Sequence, residues 1–384
     1  MNTRPIYFDH NATTPLRPEV LALMQRYLAE EFGNPSSLHS FGQRAKAGLE
    51  EARGRLANGL GCAPEEVHFT SGGTEADNWA LLGSALPHRG GRIVTTAIEH
   101  HAVLHTCRYL EGLGFEVCQV RPDARGRIDP GAVGALLNER TILVSIMHAN
   151  NETGVLQPVE EIGRLARQQG VPLHVDAVQS FGKVLVQVDQ LGADLVAVSA
   201  HKLNGPKGVG ALYVRRGTRL KNWTHGGGHE GGRRAGTENV AGIAGFGLAA
   251  ELTLAEQATR QRQLGWLRDR LEAGILAKLA GVEINGQGAP RLANTLNLSI
   301  AGVQSEALLL GLDLEGVAVS SGSACSAGGE APSHVLLAMG LERKRAAGAL
   351  RFSLGWGSSE AEVDRVVAPL PGLVSRLRAM AQGI

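Results

Sequence analysis

The strand-like run DLVAVSA (194–200) leads directly into Ser199-Ala200-His201-Lys202 and a loop of glycine and proline, NGPKGVG. A lysine at the mouth of a buried parallel strand is costly to bury as a cation. As a neutral amine it can form a Schiff base. Alone, such a lysine reads more readily as a solvated surface residue. The preceding run PLHVDAV (172–178) contains Asp176, with Gln179 three residues on. If both runs are parallel strands, Asp176 and Lys202 share one rim of the sheet, a single crossover apart. The carboxylate can then hold a protonated pyridine nitrogen while the lysine bonds an aldehyde. Pyridoxal phosphate needs that pair, because its ring withdraws electrons only while its nitrogen stays protonated.

Such a group also carries a phosphate. FTSGGTEADN places Ser-Gly-Gly-Thr between a strand and a helix, where Gly72, Gly73, Thr74 and the helix N-terminus favour an anion. Taken singly it is also an ordinary turn and cap, and it is neither a P-loop nor a dinucleotide fingerprint. His100, just past the run RIVTT, can lie flat on a ring. His101 and His105 are four apart on an expected helix, but no H-E-x-x-H and no third ligand accompany them. His225 and His229 in HGGGH carry no stronger metal signal. Cys325 stands in SSGSACSAGGEAPSH (320–334), a run that builds no core and is expected to be mobile. An exposed thiol there suits a nucleophile, whereas Cys118, within FEVCQV, is expected to be a buried structural cysteine.

Short apolar runs alternate with helical segments from about residue 65 to 215: VHFT, RIVTT, TILVSIM, PLHVDAV, DLVAVSA and GALYVR. This pattern predicts an α/β fold with a mostly parallel central sheet and flanking helices. Beyond residue 253, TLAEQATRQRQLGWLRDRLEAGILAKLAG predicts one amphipathic helix, with Leu264, Leu267, Leu271 and Ile275 on one face. NTLNLSI, GVAVSS and LRFSLG follow as short strands of a smaller α+β domain. We divide the chain into a large domain, 16–252, and a small one made of 1–15 and 253–384 that carries the cysteine loop, about 320–332.

The chain has 384 residues, 43% hydrophobic and 20% charged, which excludes wholesale disorder. A net charge of +1 gives no footprint for nucleic acid or a membrane surface. Four scattered cysteines and no C-x-x-C pair suit a reduced, cytoplasmic setting. The first residues, MNTRPIYFDHNATTP, lack the apolar run of a secretory leader. Glycine is abundant, 51 residues where about 7% is usual, and it gathers in loops where backbone can approach a ligand.

With these pieces in place, the chain resembles the cysteine desulfurases of the iron–sulfur-assembly and nitrogenase-maturation type, within the class V aminotransferase-like, fold-type I pyridoxal phosphate enzymes. The resemblance runs from YFDHNATTP (7–15) to RFSLG (351–355), through FGNPSSLHSFG, TSGGTEADN, EHHAVL, HANNETG, HVDAVQSFGK, SAHKLNGPKGVGALYVRR, HGGGHEGGRRAGTEN and SSGSACS. It implies L-cysteine as substrate, L-alanine as product and Cys325 as the atom that takes the sulfur. It implies that Lys202 bonds the cofactor and moves the Cα proton, that Asp176 pairs with the pyridinium and that Gln179 bonds the ring oxygen. Asn151 lies beside the ring and His100 stacks on it. Gly73, Thr74, Ser199 and His201 hold the phosphate, with Thr237 reaching across from the other subunit of a homodimer. Arg351 forks onto the substrate carboxylate. A sulfur-acceptor protein, an iron–sulfur scaffold or a tRNA-thiolation relay, completes the expected partners. The S-A-G-G-E after Cys325 is richer in glycine than the family stretch. A selenocysteine lyase or another enzyme of the same class, and more remotely a non-catalytic sulfur carrier, remain alternatives at this stage.

Overall fold

The computed structural model describes residues 5–321 and 332–382. Its centre is a seven-stranded sheet. In chain order the strands are β1 (Val67–Thr70), β2 (Arg92–Thr96), β3 (Glu116–Val120), β4 (Thr141–Met147), β5 (Leu173–Asp176), β6 (Leu195–Ser199) and β7 (Gly210–Val214). Their spatial order is β1-β7-β6-β5-β4-β2-β3. Neighbours from β6 across to β3 pair in parallel, and β7 runs antiparallel to both β6 and β1. Every residue of β1, β5, β6 and β7 is buried, as expected of strands covered on both faces. The edge strand β3 is largely half-exposed, and Cys118 with it. The expectation of a buried Cys118 is therefore corrected: at a sheet edge one face lacks a covering layer. Among the described residues Cys107, on the helix His101–Gly112, is the buried cysteine, and burial pushes its thiol up to about 12.

A second core lies around a three-stranded antiparallel sheet of β8 (Val282–Ile284), β9 (Thr295–Ile300) and β10 (Ala349–Ser353), in the order β10-β9-β8. GVAVSS pairs with it only at Ser320, which bridges to Arg351 on β10. Val317–Ala318 pairs in parallel with Ile6–Tyr7 instead, which brings the N-terminal segment to this core. The predicted amphipathic helix begins earlier than its apolar stripe suggests, spanning Val240–Lys278. Its first turns, GIAGFGLAA, have poor intrinsic propensity because of their glycines. Packing decides the matter: a Cβ on Gly247 would meet Ala52 Cα at 2.5 Å, so glycine lets this helix press against the helix Ser40–Leu60. Farther along, Leu267, Leu271 and Ile275 enter the second core. One rigid element thus serves both cores, and the 252/253 division falls within it. Among the described residues no helix is long and apolar enough to cross a membrane.

The glycine-rich segment 224–239 is anchored by charged residues: Arg234 pairs with Glu75 at 2.8 and 3.1 Å, and Glu230 is the more deeply buried anchor. Glu230, with φ of 49°, receives Arg53 through two bonds of 2.8 and 2.9 Å and the amide of Phe69 at 2.8 Å. Arg53 also donates to the Val67 carbonyl at 2.6 Å, so the pair clamps this loop to β1. Removing the carboxylate strands a buried guanidinium. Glu230→Ala is expected to cost roughly 3–5 kcal/mol, measured as a lower urea midpoint with an unchanged slope.

Candidate active site

The carboxyl ends of β1, β2, β4, β5 and β6 open on one cavity of about 380 Å3. Ligands bind at this end of a parallel sheet because the loops there diverge to opposite faces. Gly73, Thr74, His100, Asn151, Asp176, Gln179, Ser199, His201, Lys202 and Arg351 all line this cavity. Thr237 does not. It is exposed on the glycine-rich segment, close to the start of the long helix. Cys325 and most of the 320–332 loop lie outside the described residues.

One end of the cavity suits an anion. The helix Gly73–Ala85 starts there with no side-chain cap, so its first amides have no partner within the helix. A Cβ on Gly73 would meet Val178 Cγ2 at 2.6 Å, which lets only glycine bring the backbone this close. Ser199 Oγ is buried without a hydrogen-bond partner. An orphaned hydroxyl beside bare helix amides fits a phosphate, which brings the missing acceptors. His201, whose Nδ1 lies 3.1 Å from Thr13 Oγ1, is held at about 4 by burial, then by Lys202, Lys207 and Lys183. It therefore meets an anion as a neutral imidazole.

The middle of the cavity suits a flat, basic ring. Asp176 closes β5 and accepts the Val178 amide at 2.8 Å. Burial raises it to about 6, opposed by the Val178 bond and by Lys202, so it is mostly ionised at neutral pH and gains from a cationic partner. His100 caps the next helix, its Nδ1 accepting the Ala102 amide at 3.1 Å. Burial first, and then Lys202 and three nearby histidines, hold it at about 4. With Nδ1 accepting, the proton sits on Nε2. Lys202, in the short turn after β6, donates to the carbonyls of Asn11 at 2.6 Å and Ala12 at 2.8 Å.

The far wall comes from the second core. Arg351 on β10 is 2% exposed and is held by Asp9 at 2.6 Å and the Asn151 carbonyl at 2.9 Å. Its planar fork suits a carboxylate. Behind the cavity the sequence reading missed a layer of desolvated groups. Asp77 is pushed well up by burial and by Asp176, while His174, 3.5 Å from it, is pushed down to about 3 by burial. Asp77 lies in TSGGTEADN, four residues after Gly73, a helical spacing that could have flagged it. Asn11 and Glu152 line the cavity as well. No spacing rule links Asn11 to Lys202, 191 residues away. His101, His105 and His334 stack at ring distances of 4.9 and 4.8 Å. Among the described residues no group of three histidines, cysteines or carboxylates is placed to hold a metal ion.

Glu99 lies fully buried beneath His100, accepting Thr96 Oγ1 at 2.6 Å and the Met147 amide at 3.0 Å. Burial raises it to about 8. The folded chain then holds a proton that the unfolded chain releases near 4.5, so this group's stabilisation is complete below pH 4.5 and is lost as pH rises through about 8. Glu99→Gln is expected to flatten that loss, read from melting temperatures between pH 5 and 9.

Residues 6–366 match the model of the aminotransferase class-V family. The cysteine desulfurase IscS of Dictyoglomus turgidum is 45% identical over 380 residues, 98% of this chain and 96% of that protein. The cysteine desulfurase IscS of Methanosarcina thermophila is 46% identical over 380 residues, 98% and 94% of the two chains. A NifS-like protein of known structure superposes with a TM-score of 0.91 at 39% identity, covering 97% of this chain and all of that one. The structure of SspA in complex with cysteine gives 0.82 at 36%, covering 91% of this chain and 98% of SspA. A mostly parallel sheet with lysine, aspartate and an anion cradle on its rim, matched over nearly its whole length by these relatives, places this chain in the class-V aminotransferase family, among the cysteine desulfurases.

Proposed function

We propose that this chain is a pyridoxal phosphate-dependent cysteine desulfurase. It takes sulfur from L-cysteine onto Cys325 as a persulfide, releases L-alanine and hands the sulfur to an acceptor protein for iron–sulfur cluster assembly or tRNA thiolation. The observation that carries this reading is the placement of Lys202 and Asp176 at adjacent strand ends in a cavity whose opposite wall is Arg351.

The residues fit the cofactor. The bare amides at Gly73 and Thr74, the orphaned Ser199 hydroxyl and neutral His201 would hold its phosphate. Asp176 would pair with its ring nitrogen, Gln179 with its ring oxygen, and Asn151 and His100 would flank the ring. When bound, pyridoxal phosphate supplies an electron sink that makes the Cα–H of an attached amino acid acidic. Arg351 orients that amino acid by its carboxylate, and the Asp9 contact keeps the guanidinium on the cavity wall. Lys202 is the one amine at the reacting end. Lys202 would bond the cofactor aldehyde, and as a free amine it would move the Cα proton of the substrate. The Cys325 thiolate would attack the substrate sulfur: an S–S bond forms at Cys325 as the Cβ–S bond of cysteine breaks, and the bonding pair stays with the carbon skeleton, which takes up a proton at Cβ to complete the methyl group of alanine. A thiol of ordinary pKa, about 8.5, needs help to ionise at neutral pH. In a homodimer, Thr237 of each chain would reach the phosphate site of the other. The family membership and the cysteine-bound neighbour support this reading.

Borohydride reduction of the yellow protein should attach the cofactor to the peptide containing Lys202, seen as a mass increase after digestion. An unmodified peptide overturns the reading. With L-cysteine, alanine and sulfide should appear in equal amounts when a reductant is present. Lys202→Ala should lower kcat at least about a hundredfold, the lower range of general acid–base catalysis. Cys325→Ala should still bind L-cysteine, by its effect on the visible spectrum, yet release no sulfide. Release at the full rate would remove Cys325 from the mechanism.

A further inference from the structure

A second lysine stands behind the first. Lys183 follows Gln179 by four residues, in the turn after β5, and its Nζ reaches back into the rim. It donates to Gln179 Oε1 at 2.9 Å and to Asn11 Oδ1 at 3.1 Å. Gln179 in turn donates through Nε2 to the Asn11 backbone carbonyl at 2.8 Å, the same oxygen that accepts Lys202 Nζ. Asn11 donates through Nδ2 to Thr295 Oγ1 at 2.9 Å, and its Oδ1 also accepts Asn294 at 3.1 Å.

This network settles which way each amide faces. A lysine ammonium offers only donors, and a backbone carbonyl only accepts. Between Lys183 and the Asn11 carbonyl, the Gln179 amide has a single satisfied orientation, with oxygen toward Lys183 and nitrogen toward Asn11. The reverse would set donor against donor and acceptor against acceptor. The side chain of Gln179 is buried and lines the cavity, so the second N–H on Nε2 is a donor facing the ligand. A flipped amide would turn a carbonyl lone pair toward the same point.

We propose that Lys183 is a positioning residue of this site, which locks the Gln179 amide with its N–H toward the ring oxygen of the cofactor and braces Asn11 beneath the Lys202 amine. The proposal rests on the pyridoxal phosphate reading. The groups facing Lys183 are mostly cationic or neutral: Lys202 after β6, Arg351 on β10, His10 in the N-terminal segment and His201 beside Lys202. Two carboxylates of the site are engaged elsewhere, Asp9 with Arg351 and Asp176 with the Val178 amide. Burial, then Lys202 and Arg351, push Lys183 down to about 7. When Lys183 loses its proton it keeps two N–H groups but gains a lone pair that can accept, so the donor-only side of the lock weakens and the Asn11 carbonyl alone still rejects a flipped amide.

The test uses the loaded protein with Lys183→Met and Lys183→Arg, the second keeping a donor-only head. Melting temperatures check that both fold, and borohydride trapping at Lys202 is run on each and on the parent. The readouts are the pH midpoint of the visible cofactor band and the cofactor dissociation constant. A donor on the ring oxygen favours its anionic form and disfavours protonation of the neighbouring imine nitrogen. Lys183→Met should therefore raise the midpoint by about one pH unit and weaken cofactor binding about tenfold, the worth of one charge-assisted bond. Lys183→Arg should leave the midpoint at or below the parent value. Equal behaviour of the two variants, whether both shift or neither does, overturns the proposal. Failure to trap the cofactor at Lys202 in the parent overturns the functional reading instead.

Discussion

The contact between the Lys202 amine and the carbonyls of Asn11 and Ala12 joins two separately built parts of the molecule. Lys202 belongs to the rim of the seven-stranded sheet, and the segment bearing Asn11 is tied to the second core through Ile6, Phe8 and the Ser353 backbone. The same Asn11 bonds Thr295 on β9 and the Asn151 carbonyl from the loop after β4. Arg351 grips that Asn151 carbonyl from β10. Displacing this short stretch of backbone would therefore loosen the Lys202 amine, the Asn151 loop and the Arg351 guanidinium together. Backbone carbonyls are well suited to the task, since they accept protons, hold position through the fold and do not titrate.

Desolvation explains the electrostatics around that contact. His100 and His201 on the rim, His148 just after β4 and His174 within β5 are all buried, and burial is the largest force on each, holding them between about 3 and 4. Imidazoles that stay neutral near pH 7 can act as donors and acceptors without adding charge beside Lys202 and Arg351. The carboxyls respond in the opposite sense. Glu99, Glu152 and Asp77 are raised by burial, which leaves Asp176 as the rim carboxylate best placed to carry negative charge toward a ligand. Low dielectric thus sorts chemically similar residues into different tasks on one surface.

Much of the fold was legible because its strands are short, apolar and bounded by turn residues. VHFT, RIVTT and TILVSIM are strands with the expected ends, and the other runs differ by one to three residues at an end. The chemistry of the rim was legible for a related reason. A parallel sheet brings the ends of its strands together, so a polar residue just after a strand is placed by topology alone. Asp176, Ser199 and Lys202 could be found in this way. The start of the long helix was not legible, since its glycines speak against a helix until the facing helix is known. The edge position of Cys118 was hidden too, because an apolar-flanked strand looks the same at the edge and in the middle of a sheet.

The sequence by itself determined the strand and helix periods, the anion cradle at Gly73 and the pairing of a rim lysine with a rim aspartate. These depend on neighbours a few residues apart and on one topological rule. Only the tertiary structure decided that Asn11 lies under Lys202, that Lys183 bonds Gln179 and that Glu230 anchors a glycine-rich loop against Arg53. Those contacts join residues far apart in the chain or on different elements. Their geometry is set by how two cores pack across a shared helix, a relation that no local pattern of residue types encodes.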